Sequence, residues 1–200
     1  MALVNKIIPF SCIDGPGNRT AIFFQGCNFK CTYCHNPETI NKCISCGKCV
    51  LTCPVKALDM IDKKVVWDSD ICVECDNCIR ECNHLSTPKT KDYTVDELFN
   101  EIKEISPFIQ GITVSGGECT LNADFLIELF KKVKNELNLT CFVDTNGGID
   151  LTDYKELVEV ADKFMLDIKS IDENEHIKVT GVSNKIVLKN LEYLLSKDKL

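Results

Sequence analysis

The chain has 200 residues, 14 of them cysteine, and a formal net charge of -7. So acidic a balance gives no electrostatic case for general nucleic-acid binding, no apolar run reaches the roughly 18 residues of a membrane span, and no basic–apolar leader is visible. These features predict a cytoplasmic protein that binds neither nucleic acid nor membrane. In that reducing compartment, clustered cysteines read as metal ligands rather than disulfides.

In chain order, residues 3–10 read as an edge strand and 20–25 as a buried strand. The second runs into Gln25-Gly26-Cys27-Asn28-Phe29-Lys30-Cys31-Thr32-Tyr33-Cys34-His35-Asn36-Pro37, a Cys-x3-Cys-x2-Cys loop. A [4Fe-4S] cluster normally takes four thiolates. Three closely spaced ligands leave one iron open, as a metal that acts on a substrate requires. Zinc with His35 as fourth ligand is the alternative, although zinc favours paired Cys-x2-Cys knuckles.

Two matched runs follow, Cys43, Cys46, Cys49, Cys53 and Cys72, Cys75, Cys78, Cys82, offset by 29 residues. This is the two-cluster ferredoxin pattern, in which the fourth cysteine of each run serves the other cluster. Cys43, Cys46, Cys49 and Cys82 are thus assigned to one [4Fe-4S] cluster, and Cys72, Cys75, Cys78 and Cys53 to the other. Pro54 follows Cys53 as the pattern expects, whereas Asn83 follows Cys82. Residues 57–61 and 65–68 read as a hairpin between the runs. A module this small, spanning residues 41–87, needs its clusters to hold together. Its expected role is electron relay to the three-cysteine cluster, with a purely structural role as the alternative.

After the insert, strands and helices alternate. Thr94-Val95-Asp96-Glu97 opens a helix with a capping box, and 111–115 form a strand. Asn122 is expected to cap a helix with Leu126, Leu129, Phe130, Val133 and Leu137 on one face. Residues 140–144 form a strand, 152–161 a helix, 164–168 a strand and 183–196 a helix. Alternating βα units predict an α/β fold with a parallel sheet, part of a barrel, formed by residues 1–40 and 88–200. The strand ends carry Ser115-Gly116-Gly117-Glu118, Asp144-Thr145-Asn146-Gly147 and Asp167-Ile168-Lys169. Paired glycines admit a ligand to bare backbone, and a neighbouring carboxylate can hold an ammonium. Alone, Asn146-Gly147 reads as a turn and Lys169 as a solvated cation.

Together these motifs, with Asp14-Gly15-Pro16-Gly17-Asn18-Arg19 and Met165-Leu166-Asp167-Ile168-Lys169, resemble the radical S-adenosylmethionine (SAM) enzymes. Among them, the chain resembles the glycyl-radical-enzyme activating enzymes related to the pyruvate formate-lyase activating enzyme, in the branch with an eight-cysteine insert. The resemblance implies a partial (β/α) barrel of about four βα units, truncated against the family's usual six. It implies that Cys27, Cys31 and Cys34 hold the SAM-binding cluster, the first of three. Tyr33 and His35 would flank the cofactor. Gly116, Gly117 and Glu118 would meet the methionyl amine, and Asp167, Ile168 and Lys169 would lie near its carboxylate. Asp144, with Thr145, Met165 and Asp167, would surround a monovalent cation, and Asp14 would face the glycine loop of a partner glycyl radical enzyme. Flavodoxin or ferredoxin would supply the electron. Other radical SAM chemistry on a small molecule or peptide, and a ferredoxin-type carrier without enzymatic activity, are the rival readings.

Cys12, Cys119 and Cys141 fall outside the motifs, and buried free cysteines are usually apolar fillers. His84 and His176 read as ordinary polar positions.

Overall fold

A computed structural model describes residues 1–200. Its strands are β1 (Ala2–Ser11), β2 (Arg19–Phe24), β3 (Leu58–Ile61), β4 (Lys64–Trp67), β5 (Lys91–Tyr93), β6 (Gly111–Gly116), β7 (Thr140–Thr145) and β8 (Lys163–Leu166). Its helices are α1 (Asn77–Arg80), α2 (Val95–Ile105), α3 (Ala123–Leu137), α4 (Lys155–Val160), α5 (Glu173–Thr180) and α6 (Lys185–Ser196).

The main sheet has the order β5-β1-β2-β6-β7-β8. The four strands β2, β6, β7 and β8 are parallel, and β1 and β5 extend them antiparallel. The first strand is therefore not the edge along its whole length. The short β5, which propensity did not reveal, pairs with Ala2, Leu3 and Val4.

Period-two alternation divides the faces. Ile22 and Phe24 of β2, Ile112 and Val114 of β6, Cys141 and Val143 of β7 and Phe164 of β8 enter one buried cluster of 28 residues. The helices add Leu98, Phe99 and Ile102 from α2, Leu126, Leu129, Phe130 and Val133 from α3, Leu157 and Val158 from α4 and Leu194 from α6. Thr94 and Glu97 cap α2 reciprocally, as the sequence predicts. Asn122 makes no side-chain cap on α3. A 3-10 turn (Cys119–Asn122) precedes that helix, and the Glu118 side chain caps the turn instead. Residues 151–153 form a separate 3-10 turn before α4 rather than its first turn.

The opposite face is polar, and Arg19 lies at its base. Its guanidinium is almost fully buried without a carboxylate partner. Nε donates to Thr113 Oγ1 at 2.8 Å, Nη1 to Thr140 Oγ1 at 2.9 Å, and Nη2 to the carbonyls of Ile112 and Thr140 at 2.7 and 3.1 Å. The group stacks 3.8 Å from the centre of the Phe142 ring. Burial pulls its pKa down, while Cys141 and Asp162 oppose that shift.

Residues 41–87 leave and rejoin the sheet at one point, where the Asn41 amide donates to the Leu85 carbonyl at 3.0 Å and Asn41 Nδ2 to the His84 carbonyl at 2.8 Å. The 29-residue repeat is also conformational. Left-handed backbone recurs at Ser45 and Glu74, at Gly47 and Asp76, and at Lys56 and Leu85. Each pair shares the offset of the cysteines. Between the halves, β3 and β4 pair antiparallel through Asp62 and Lys63, both at positive φ, a two-residue hairpin turn of the primed kind.

Candidate active site

At the C-terminal ends of β2, β6, β7 and β8 lies a cavity of about 370 Å³. Its wall includes Cys27, Cys31, Cys34, Tyr33, His35, Gly116, Gly117, Asp144, Asp167 and Lys169. Loop residues from opposite ends of the sequence thus meet at one place, the rim where parallel α/β sheets bind ligands. Glu118, Ile168 and Asp14 do not line this cavity. Asp14 lies to one side, its carboxylate bonded by the Ser11 hydroxyl and its carbonyl accepting from Thr113 Oγ1 at 2.6 Å.

The cysteine loop is pinned along its backbone. The Gly26 and Cys27 amides donate to the Thr39 and Ile40 carbonyls, and the Lys30 and Thr32 amides to the Thr180 and Val179 carbonyls of α5. The sequence places His176 in a polar helix but does not reveal that this helix anchors the cysteine loop. His176 within it is fully buried rather than an ordinary polar position. Its Nδ1 bonds the Val182 carbonyl at 2.8 Å, and its ring meets Phe29 edge-on at 5.6 Å.

The glycines of Ser115-Gly116-Gly117-Glu118 serve the protein first. A Cβ at Gly117 would sit 2.4 Å from the Gly26 carbonyl oxygen, and one at Gly116 only 2.2 Å from the Phe24 nitrogen. Their bareness lets β6 close against the start of the cysteine loop: the Gly117 amide donates to Phe24 and the Glu118 amide to Gly26.

Glu118 itself turns inward. Its carboxylate is 1% exposed and accepts from the Thr120 amide, Thr120 Oγ1, Thr145 Oγ1 and the Asn146 amide, at 2.5 to 3.0 Å. Burial raises its pKa, and those donors pull the other way. The carboxylate is turned away from the cavity. Four fixed donors hold it between the ends of β6 and β7.

Asp144 accepts from Ser115 Oγ at 2.7 Å. Burial raises its pKa, with Asp167 and Asp14 adding to the rise. Lys169 pairs with Asp167 and lies 5.7 Å from the Tyr33 ring centre. Burial opposes the Lys169 charge, but the Asp167 carboxylate outweighs it and the net shift is upward. Asn190 of α6 braces the neighbouring turn, donating to the Gly147 and Ile149 carbonyls and accepting from the Leu151 amide.

Three thiols on one wall suit iron. Burial pushes Cys27 up to about 11 and raises Cys31. A bound metal would favour the thiolate form of these sulfurs against the cost of their burial.

The insert presents two smaller cavities. One is walled by Cys72, Cys75, Cys78 and Cys53, the other by Cys43, Cys46, Cys49 and Cys82. Cys78 also touches the second. Of the remaining cysteines, Cys119 and Cys141 are buried and Cys12 is exposed.

No helix is long and apolar enough to cross a membrane. Residues 21–199 match the family model of the radical SAM superfamily. The trans-4-hydroxy-L-proline dehydratase activating enzyme of Clostridioides difficile is 35% identical over 208 residues, covering 96% of this chain and 68% of that protein. The 4-hydroxyphenylacetate decarboxylase activating enzyme of C. difficile strain CD196 is 33% identical, covering 98% and 68%. The indoleacetate decarboxylase activating enzyme of Tractidigestivibacter scatoligenes is 32% identical, covering 96% and 69%. Among solved structures, Escherichia coli QueE superposes with a TM-score of 0.53 at 13% identity, over 98% of this chain and 77% of that one, a likeness of fold. A cavity walled by a three-cysteine loop and three strand-end motifs, together with these relatives, places the chain in the radical SAM superfamily, among the glycyl-radical-enzyme activating enzymes.

Proposed function

We propose that the chain activates a partner glycyl radical enzyme at the cavity walled by Cys27, Cys31 and Cys34. Bound there, a [4Fe-4S] cluster would give one electron to SAM, releasing methionine and supplying a 5′-deoxyadenosyl radical able to take the α-hydrogen of one glycine in the partner and leave as 5′-deoxyadenosine. The chain's own residues bind, orient and exclude water, because the cofactor carries the hard chemistry.

Cys27, Cys31 and Cys34 hold the cluster and leave one iron for SAM. Tyr33 and His35 flank the nucleoside. Gly116 and Gly117 present backbone to the methionyl end, braced from behind by Glu118. Lys169, with Asp167 and the Ile168 backbone, receives the carboxylate end. Asp144, with Thr145, Met165 and Asp167, suits a monovalent cation. Asp14 faces the incoming glycine loop.

Residues 41–87 form a ferredoxin-like module with two further [4Fe-4S] clusters, set into a partial (β/α) barrel of residues 1–40 and 88–200. Cys43, Cys46, Cys49 and Cys82 hold one cluster, and Cys72, Cys75, Cys78 and Cys53 the other. Reduced flavodoxin or ferredoxin would deliver the electron, and the module's cysteines would hold the clusters that relay it. The crossed lining of the two insert cavities supports this assignment.

The observation that carries the proposal is the single cavity bounded by the three thiols, Gly116-Gly117, Asp144 and Lys169. Anaerobic reconstitution tests it. About 12 irons per chain are expected, one cluster for each of three ligand sets, with an EPR change on adding SAM and a glycyl radical signal in a co-expressed partner. About eight irons with no response to SAM would leave only an electron carrier.

A further inference from the structure

The turn after β7 reaches the cysteine loop by a contact that neither motif announces. Asn146 Nδ2 lies 3.5 Å from Cys27 Sγ, across 119 residues of sequence. Its orientation is determined by its partners. Asn146 Oδ1 accepts from the Gly148 amide at 2.8 Å, so the NH2 group must face the cysteine loop. Its second hydrogen goes to Asn28 Oδ1 at 3.0 Å.

The surroundings fix this arrangement. The Asn146 amide donates to Glu118 Oε2 at 2.7 Å, tying the residue to the buried carboxylate. A Cβ at Gly148 would fall 2.4 Å from Asn28 Nδ2 and 2.9 Å from Asn146 Oδ1, so only glycine leaves room. The residue itself is 9% exposed. The other donor to Cys27 Sγ is the local Phe29 amide at 3.4 Å.

We propose that Asn146 tunes the reduction potential of the cluster held by Cys27, Cys31 and Cys34; this rests on the reading of those three residues as its ligands. One electron from the reduced donor protein adds negative charge to the cluster, part of it on the cysteine sulfurs. An N–H aimed at a sulfur stabilises that charge more in the reduced state than in the oxidised one, and so raises the potential. Asn146 is thus a positioning residue that acts through a ligand, and Glu118 holds it in place.

The test is an EPR-monitored redox titration of the reconstituted full chain, following the SAM-responsive cluster. The insert clusters in the same sample serve as internal references. Asn146→Ala should shift the midpoint to lower potential, with about a tenfold smaller reduced-to-oxidised ratio at a fixed ambient potential, equivalent to ~59 mV for one electron. Asn146→Asp should shift it further, because a carboxylate oxygen replaces the donor.

Wild-type midpoints in both Asn146 variants, with iron content and the SAM response intact, would overturn the proposal and leave the ligand assignment standing. Loss of the SAM response in the unmodified protein would instead remove the assignment. Should the Asn146 variants fail to hold iron, ENDOR on protein carrying 15N-asparagine decides, with Asn28→Gln in place so that the residue next to Cys27 carries no label. A 15N coupling to the SAM-responsive cluster supports the contact, and its absence rejects it.

Discussion

The sheet and the insert are built on different physics. The sheet and its helices bury a 28-residue apolar cluster, and no residue of 41–87 belongs to it. Within the insert only Cys49, Ala57, Leu58, Ser86 and Thr87 are buried, while Ile44, Leu51, Ile61, Ile71 and Val73 lie about half exposed or more. Apolar burial at about 25 cal/mol per Å² holds the first region. The second lacks the area to offset its chain entropy. On the proposed assignment ligand bonds supply its order, so its folding should follow its iron.

The sharpest way to break this comparison is to remove one ligand from each region. Cys27→Ala should reduce 5′-deoxyadenosine formation to background while the two insert clusters keep their EPR signals. Loss of all three signals would show that the regions are not separable. Iron chelation should have the next largest effect. Amides of residues 41–87 should lose hydrogen-exchange protection, whereas those of β2, β6 and β7 keep it, and uniform loss would contradict the division.

Packing gives a graded contrast. Phe130→Ala removes a fully buried ring and should cost about 3–5 kcal/mol in denaturant unfolding of the sheet region. Leu51→Ala, at a position 90% exposed in the insert, should stay within about 0.5 kcal/mol. A large effect at Leu51 would reveal packing absent from this fold. Arg19→Lys should fall between, at about 1–3 kcal/mol, because an ammonium cannot reach Thr113, Thr140 and the Ile112 carbonyl together. A neutral result would mean that water replaces the lost donors.

Much of the site was legible because its signals are local. The Cys27, Cys31, Cys34 spacing and the crossed roles proposed for Cys53 and Cys82 rest on patterns along the chain. The strand-end motifs were legible through alternation, since each follows a β-run and therefore falls on one rim of a parallel sheet. The three-residue β5 was not legible, because its pairing with Ala2 to Val4 comes from the partner strand and not from its own composition. Asn122 met the propensity of a cap, yet a 3-10 turn capped by Glu118 preceded the helix.

By itself the sequence determined the spacing of the cysteines proposed to bind iron and the kind of scaffold that carries them. Ligand spacing and hydrophobic period act over a few residues. Tertiary structure alone decided where the strand-end side chains point. Glu118 turns inward because donors from Thr120, Thr145 and Asn146 converge on it. His176 is buried because α5 must pack against the cysteine loop, and Asn146 meets Cys27 only because β7 ends beside it. A buried polar group takes the direction of its nearest fixed partners, and those partners come from segments far apart in the chain.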